Sequence, residues 1–174
     1  MNIADAIAIL NRQVPDPSLG LPDELFYYIS KVTPLVNVDL LIRDEDGRTI
    51  LSWRNDQYAG KGWHIPGGIV RFKETLEARV KKVAEIEIGT SVIFDPVPIA
   101  LNQIILPERD IRSHFISILY KCFLSKAFIL QNNGLSTKDN GYLQWHNSCP
   151  VELLKCHEIY RKYITKVDNI GDFK

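Results

Sequence analysis

The sequence predicts an α+β domain in which helices cover a mixed β-sheet. Three observations carry that expectation. Strand-forming runs crowd the stretch from Leu35 to Trp53, strand-like runs return near 97–105 and 114–124, and helical patterns lie between and after them. A length of 174 residues suits one domain with a core of its own.

In chain order, residues 3–12 (IADAIAILNR) have the spacing of a short amphipathic helix, ended by Pro15, Pro17 and Gly20. A second helix is expected from Pro22 through DELFYYIS, with Pro22 at its first position and Asp23 and Glu24 at the positive end of its dipole. Together they mark residues 1–32 as a helical extension to a main domain at 33–174, either packed on it or acting as a dimer arm or lid. The run LVNVDLLIRDEDGRTILSWR reads as a hairpin, with strands from Leu35 to Ile42 and Thr49 to Trp53 around an Asp46-Gly47 turn. WHIPGG is a short strand meeting a turn, and residues 75–88 are a helix. YLQW is a last short strand, and a helix at about 150–164 closes the pattern. No repeat or low-complexity tract interrupts it.

Lys+Arg and Asp+Glu number 21 each, and no basic stripe stands out, which argues against nucleic acid as the main partner. Cys122, Cys149 and Cys156 are odd in number and form no CxxC pair, so free thiols are expected rather than disulfides or zinc. The first residues lack a basic segment, and Asp5 interrupts their apolar run, unlike a signal peptide. No run reaches the ~18 apolar residues of a membrane span. A cytoplasmic protein without a membrane partner is the expectation.

At ~100° per residue, Leu76, Val80, Val83 and Glu87 share one face of the helix TLEARVKKVAEIEI. The first three should pack on the sheet. Glu87 then lies at a buried edge, where an unpaired charge is costly. Either a basic residue, a hydrogen-bond set or a cation compensates it, or it reaches water in the last turn before Gly89. Pro66-Gly67-Gly68, just upstream, offers a backbone that an ion or phosphate can approach closely, or is a plain turn. A Gly67 carbonyl beside the Glu87 carboxylate would be a sparse oxygen site of the kind Mg²⁺ accepts.

Gly68, five residues, Glu74, seven residues and then KVAEIEIGT resemble the box of the Nudix hydrolases. Gly68, Glu74, Glu87 and Gly89 match that pattern; Lys82, Val83 and Ile86 depart from it. Over roughly residues 33–146, TPLVNVDLLIRDEDGRTILSWRND and GWHIPGGIVRFKETLEA are similar to the GDP-mannose mannosyl hydrolase branch. The resemblance implies an α/β/α sandwich and a Mg²⁺-dependent hydrolase, Mn²⁺ being the alternative ion. Its substrate would be a nucleotide sugar, cleaved to sugar and nucleoside diphosphate, and its assembly a homodimer. Phosphoanhydride cleavage and a non-catalytic nucleotide-sugar module are the competing readings.

Carried over residue by residue, the resemblance gives Gly67, Glu87 and Asp139 to the metal. Asp39, Arg54 and His114 go to substrate or catalysis, and Glu74 to support of the loop and helix. Arg71 lies two residues beyond the position of a family arginine, here Ile69, and would share its face if the strand continued. The loop PERDIR brings Glu108, Arg109, Asp110 and Arg112, which either grip substrate or form a solvated turn. Tyr58 and Trp63 either stack on a base or pack in the core. Where the branch carries its general base, five residues before Trp145, this chain has Asn140. Glu108, Asp110, Asp139 and His114 are candidate substitutes among which the sequence does not choose.

Overall fold

Strand β1 (Leu35–Arg43) lies at the centre of the sheet, and its alternation sets the two layers that cover it. Its even positions Val38, Leu40 and Ile42 join Ile118, Tyr120 and Cys122 in a core that packs on Val80, Val83, Ala84 and Ile88. Its odd position Leu41 joins Leu119, Trp53, Trp63 and Ile65 in a second core against Leu153, Tyr160 and Ile164. A strand buried on both faces reads as a nearly continuous apolar run, which is what LVNVDLLI is. Asn37 and Asp39, on the odd face, are the exceptions, and of the two Asp39 is the one fully buried.

The structure, a computed structural model, describes residues 2–164. Helices α1 (Ile3–Gln13) and α2 (Asp23–Val32) come first. A capping box between Asn2 and Asp5 starts α1. Pro22 stands just outside α2, at its cap, rather than at its first helical position. The remaining strands are β2 (Thr49–Asp56), β3 (Gly60–His64), β4 (Gly67–Ile69), β5 (Ile93–Phe94), β6 (Ala100–Ile105), β7 (His114–Phe123) and β8 (Leu143–His146). They form one mixed eight-stranded sheet. β1 runs parallel to β7 from the Leu35–Phe115 pair to the Arg43–Phe123 pair, while β4 pairs antiparallel with its first half. Helix α3 (Leu76–Val83) runs straight into one π-helical turn, Ala84–Ile88, which Gly89 ends in the left-handed region.

Several expectations change. The β1–β2 hairpin closes only at its tip, through the Arg43–Thr49 pair, and then splays. β2 turns instead to β3 and β8. The double glycine is a strand rather than a plain turn, because pairing with Asn37–Asp39 recruits it. The strand expected over 97–105 begins only at Ala100, where its pairing with β7 starts. The expected helix at 150–164 is a 3₁₀ segment, Lys155–Tyr160, continued by the short α4 (Arg161–Ile164). Leu153 and Leu154 hold the chain ahead of it extended, through an isolated bridge to Trp63 and a bond from Leu154 N–H to Trp63 O. Residues 165–174 of the expected main domain lie outside the described residues. No helix among the described residues is long and apolar enough to cross a membrane.

Candidate active site

Two recesses meet at Arg54 and His64, which line both. The first, about 170 Å³, is bordered by Asp39, Gly67, Tyr58, Arg109, Arg112 and His157 among others. The second is bordered by Glu87, Gly89, Asn140 and Gly141.

The glycines create the junction. A Cβ on Gly67 would collide with Asp39 Oδ1 and come within 2.9 Å of Val38 O; one on Gly68 would lie 2.8 Å from Val83 Cγ2. Strand β4 thus fits between β1 and α3 only as bare backbone. Leu40 N–H donates to Pro66 O and Val70 N–H to Val36 O, both at 2.9 Å. Antiparallel alternation then turns both main-chain groups of Gly67 away from β1. The Glu87 carboxyl, at the end of the π-turn, meets the Gly67 amide there. Such a turn closes its hydrogen bond over one more residue than an α-turn, here from Gly89 N–H to Ala84 O, so it re-aims Glu87 relative to the helical stripe of α3.

Electrostatics mark this carboxyl as unusual. Burial pushes Glu87 up to about 7, and the charge of Asp39 pushes the same way; Arg54 and the Gly67 amide only partly offset this. Part of the side chain borders the second recess while the carboxylate is enclosed, so burial of the ionised group decides. Asp39 is buried and likewise raised, by burial first. Its Oδ2 accepts from Tyr160 Oη at 2.6 Å and from Ser117 Oγ, and the two hydroxyls also touch each other.

Two imidazoles complete the junction. His64 Nδ1 lies 2.8 Å from the Ile65 carbonyl, and Ile65 N–H donates to His157 Nδ1 at 3.3 Å. Burial holds His64 well below its ordinary value, and His157 and Arg54 push it the same way. An edge of His157 borders the cleft while the rest of the ring is enclosed; burial lowers it to about 3. Both rings are neutral at pH 7. Opposite them, Arg112 stacks its guanidinium over Tyr58 at 5.2 Å and Phe26 at 5.9 Å. Its backbone is left-handed at φ 51°, held by a bond from its N–H to Ser30 Oγ.

Of the residues the sequence singled out, Asp39, Arg54, Tyr58, Gly67, Glu87, Arg109, Arg112 and Asn140 come together at the two recesses. The others lie elsewhere. Trp63 packs in the core, edge-on to Trp53 at 5.2 Å, with no face left for a base. Strand β4 ends at Ile69, so Arg71 does not share its face; its guanidinium donates instead to Leu19 O at 2.7 Å. Glu74 accepts from Arg71 N–H and from the Arg79 guanidinium, ties that outweigh burial and lower its carboxyl. His114 meets Gln103 at 3.0 Å at the start of β7, and Glu108 lies 3.9 Å from Lys155. Asp110 is exposed on its loop. The Asp139 carboxylate caps its own turn, accepting from Ser136 N–H at 2.7 Å. His64, His157 and Tyr160 were not singled out by sequence reasoning. For His64 one signal was available, a histidine inside the WHIPGG run.

No family model matches the sequence. The low-salt glycan biosynthesis protein Agl8 of Haloferax volcanii is 37% identical over 84 residues, 48% of this chain and 53% of that protein. The chain therefore spans about half the length of this curated relative. A MutT NUDIX hydrolase from Burkholderia pseudomallei superposes with a TM-score of 0.61 at 21% identity, over 76% of this chain and 99% of that one. The fold is the Nudix hydrolase fold. A bifunctional NMN adenylyltransferase/ADP ribose pyrophosphatase from Francisella tularensis, solved with AMP and a Mn ion, shares it at a TM-score of 0.52 and 17% identity, over 75% of this chain and 40% of that one. In this Nudix-type sheet the double glycine packs directly against α3, and Glu87 just beyond it meets the Gly67 amide.

Proposed function

We propose that the protein is a Nudix hydrolase of a nucleoside diphosphate sugar, GDP-mannose or a close analogue. It would act with Mg²⁺ or Mn²⁺ and release free sugar and nucleoside diphosphate. One observation carries the reading: a single helix carboxylate, Glu87, stands beside a cleft lined by Arg54, Arg109 and Arg112. Val83 and Ile86 stand where further glutamates would reach a metal cluster, and the remaining acids of this helix, Glu77 and Glu85, pair with Lys81 and Lys82 at the surface. Among the described residues no three His, Cys, Asp or Glu side chains converge as a metal cage.

The residues present fit one hard cation. Glu87 is an enclosed carboxyl with a raised proton affinity, Asp39 adds to its electrostatic need, and the Gly67 carbonyl is free of the β1 ladder. Gly67 and Glu87 would hold the ion; Asp139 would have to give up its turn. When bound, the cation neutralises the diphosphate and eases departure of the nucleoside diphosphate. The arginines supply planar forks suited to phosphate oxygens. Asp39, held by Ser117, Tyr160 and Asn37, would place its carboxyl at the wall of the cleft beside a donor on the substrate. The homodimer remains part of the proposal, supported by the apolar face of α1, where Ile3 is 80% and Ile7 51% exposed.

Incubation with GDP-mannose and Mg²⁺, followed by product identification, tests the reading. Free mannose with GDP is the expected result. Mannose phosphate with GMP would replace it by attack at phosphorus, and tight binding without products would make the protein a nucleotide-sugar module.

A further inference from the structure

With Asn140 where the related branch carries its base, the proposed hydrolysis needs another proton acceptor. Hydrogen-bond polarity at Ile65 identifies one. A carbonyl can only accept, so the Ile65 carbonyl fixes the proton of the neutral His64 ring on Nδ1 and leaves a lone pair on Nε2. A backbone amide can only donate, so Ile65 N–H fixes the opposite form of His157, with its proton on Nε2. One residue thus sets two adjacent imidazoles, 5.6 Å apart between centroids, as an acceptor and a donor.

The free nitrogens have somewhere to act. Neither Nε2 has a hydrogen-bond partner among the described residues, and neither is among their sealed-off, unpartnered polar atoms. Both rings line the cleft, and His64 alone with Arg54 lines both recesses. The β2–β3 register sets His64 opposite Ser52, two positions along the ladder from the Arg54–Gly62 pair. A proton acceptor belongs there, between the phosphate-binding arginine and the Glu87 side of the site. The alternatives suggested by sequence are worse placed: Asp139 caps its turn, His114 is tied to Gln103, and Glu108 and Asp110 are exposed on their loop.

We propose that His64 is the general base of this site, using Nε2, with His157 as the neighbouring hydrogen-bond donor. The inference rests on the proposed hydrolysis. A water oxygen bonds to sugar C1 while its proton passes to His64 Nε2. The bond from C1 to the β-phosphate oxygen breaks, its electron pair leaving on the nucleoside diphosphate. The imidazolium then returns its proton to solvent.

Two measurements test the assignment with GDP-mannose and Mg²⁺ as probe. Nitrogen-15 shifts of the wild-type histidines at pH 7 should show His64 protonated on Nδ1 and bare on Nε2, and His157 the reverse. A His64 ring protonated on Nε2 overturns the proposal without reference to activity, and serves even if the variants fail to fold. In kinetics, His64→Gln should lower kcat by ~10²–10⁴-fold with little change in KM. His64→Ala should regain part of that rate on addition of imidazole, which a purely structural role would not allow. Wild-type turnover with His64→Gln within twofold of it overturns the base assignment alone. Wild-type protein that leaves GDP-mannose intact overturns the hydrolytic reading and the base with it.

Discussion

One part of the cleft wall, Gly67, Gly68 and Glu87, belongs to a single strand–turn–helix unit. In the other part, Ile65 meets His157 across 92 positions of chain, and Asp39 meets Tyr160 across 121. The first wall is shaped by what is missing: two Cβ atoms would each intrude on a neighbour. The second is shaped by partners brought in from the 3₁₀ segment after Leu154. Loss of a glycine should therefore displace backbone and carboxylates together. Loss of a partner in the second wall should remove one hydrogen bond and leave the frame standing.

Gly67→Ala should have the largest effect. Its Cβ would press on Asp39 and on the β1 backbone, an overpacking cost of about 1–3 kcal/mol or more. Thermal melts should fall by several degrees, since about 1 kcal/mol moves a domain of this size by ~2–4 °C. Activity on GDP-mannose should fall by ~10²-fold or more through misplacement of the site. A variant with wild-type melting and rate would mean that the two strands are less tightly fitted than drawn.

Glu87→Gln should come next, keeping the fold while activity drops on the order of 10²-fold and Mg²⁺ dependence weakens. Its pH signature separates charge from shape. In the metal-free protein Glu87 is raised from 4.5 to about 7, so the native state holds this proton more tightly than the unfolded chain. The stability it contributes is complete below about 4.5 and is lost as pH rises through about 7. Metal-free melts between pH 5 and 8 should decline less steeply in Glu87→Gln than in wild type. Added Mg²⁺ should stabilise wild type more at pH 8 than at pH 6, because it competes with the proton. Equal stabilisation at both would argue against Glu87 as the ligand.

These two walls also differ in how far the sequence discloses them. Spacing along one helix places Glu87 on the apolar stripe, and the double glycine announces close approach. The alternation of β1 makes Asp39 conspicuous before any contact is known. Nothing in a single sequence pairs residue 39 with residue 160, because that contact depends on how the closing segment packs after bridging to Trp63. The same holds for Ile65 and His157. Trp63 and Arg71 show the opposite difficulty. Trp63 borders the site in sequence but faces the second core, and Arg71 follows a strand that ends two residues before it. The π-turn is silent too, since the residues from Ala84 to Ile88 carry an ordinary helical pattern.

Tyr160→Phe probes the second wall more gently. Asp39 would keep Ser117 and lose one hydroxyl donor, at a cost of about 1.5–3 kcal/mol for a bond to a charged group. That bond lowers the Asp39 carboxyl against the larger effect of burial, so its loss should raise proton affinity further. The deficit relative to wild type should therefore be greater at pH 8 than at pH 5 in paired melts. A pH-independent deficit would mean that the hydroxyl contributes packing rather than charge stabilisation.

The smallest effect is expected at Asn140, which separates the two walls' claims to the proton. Its side chain is exposed at the rim of the second recess, and Oδ1 accepts one bond from Asn55 N–H at 3.2 Å. An exposed bond of that length contributes about 0.5–1 kcal/mol at most, and an amide takes up no proton at neutral pH. Asn140→Ala should leave the rate within about twofold and the melt nearly unchanged, the ~10²–10⁴-fold contribution of a base lying elsewhere. If Asn140→Ala instead lost 100-fold in kcat at normal stability, the late loop would be engaged in the reaction, and the neutral imidazoles beside Ile65 would no longer be needed to explain turnover.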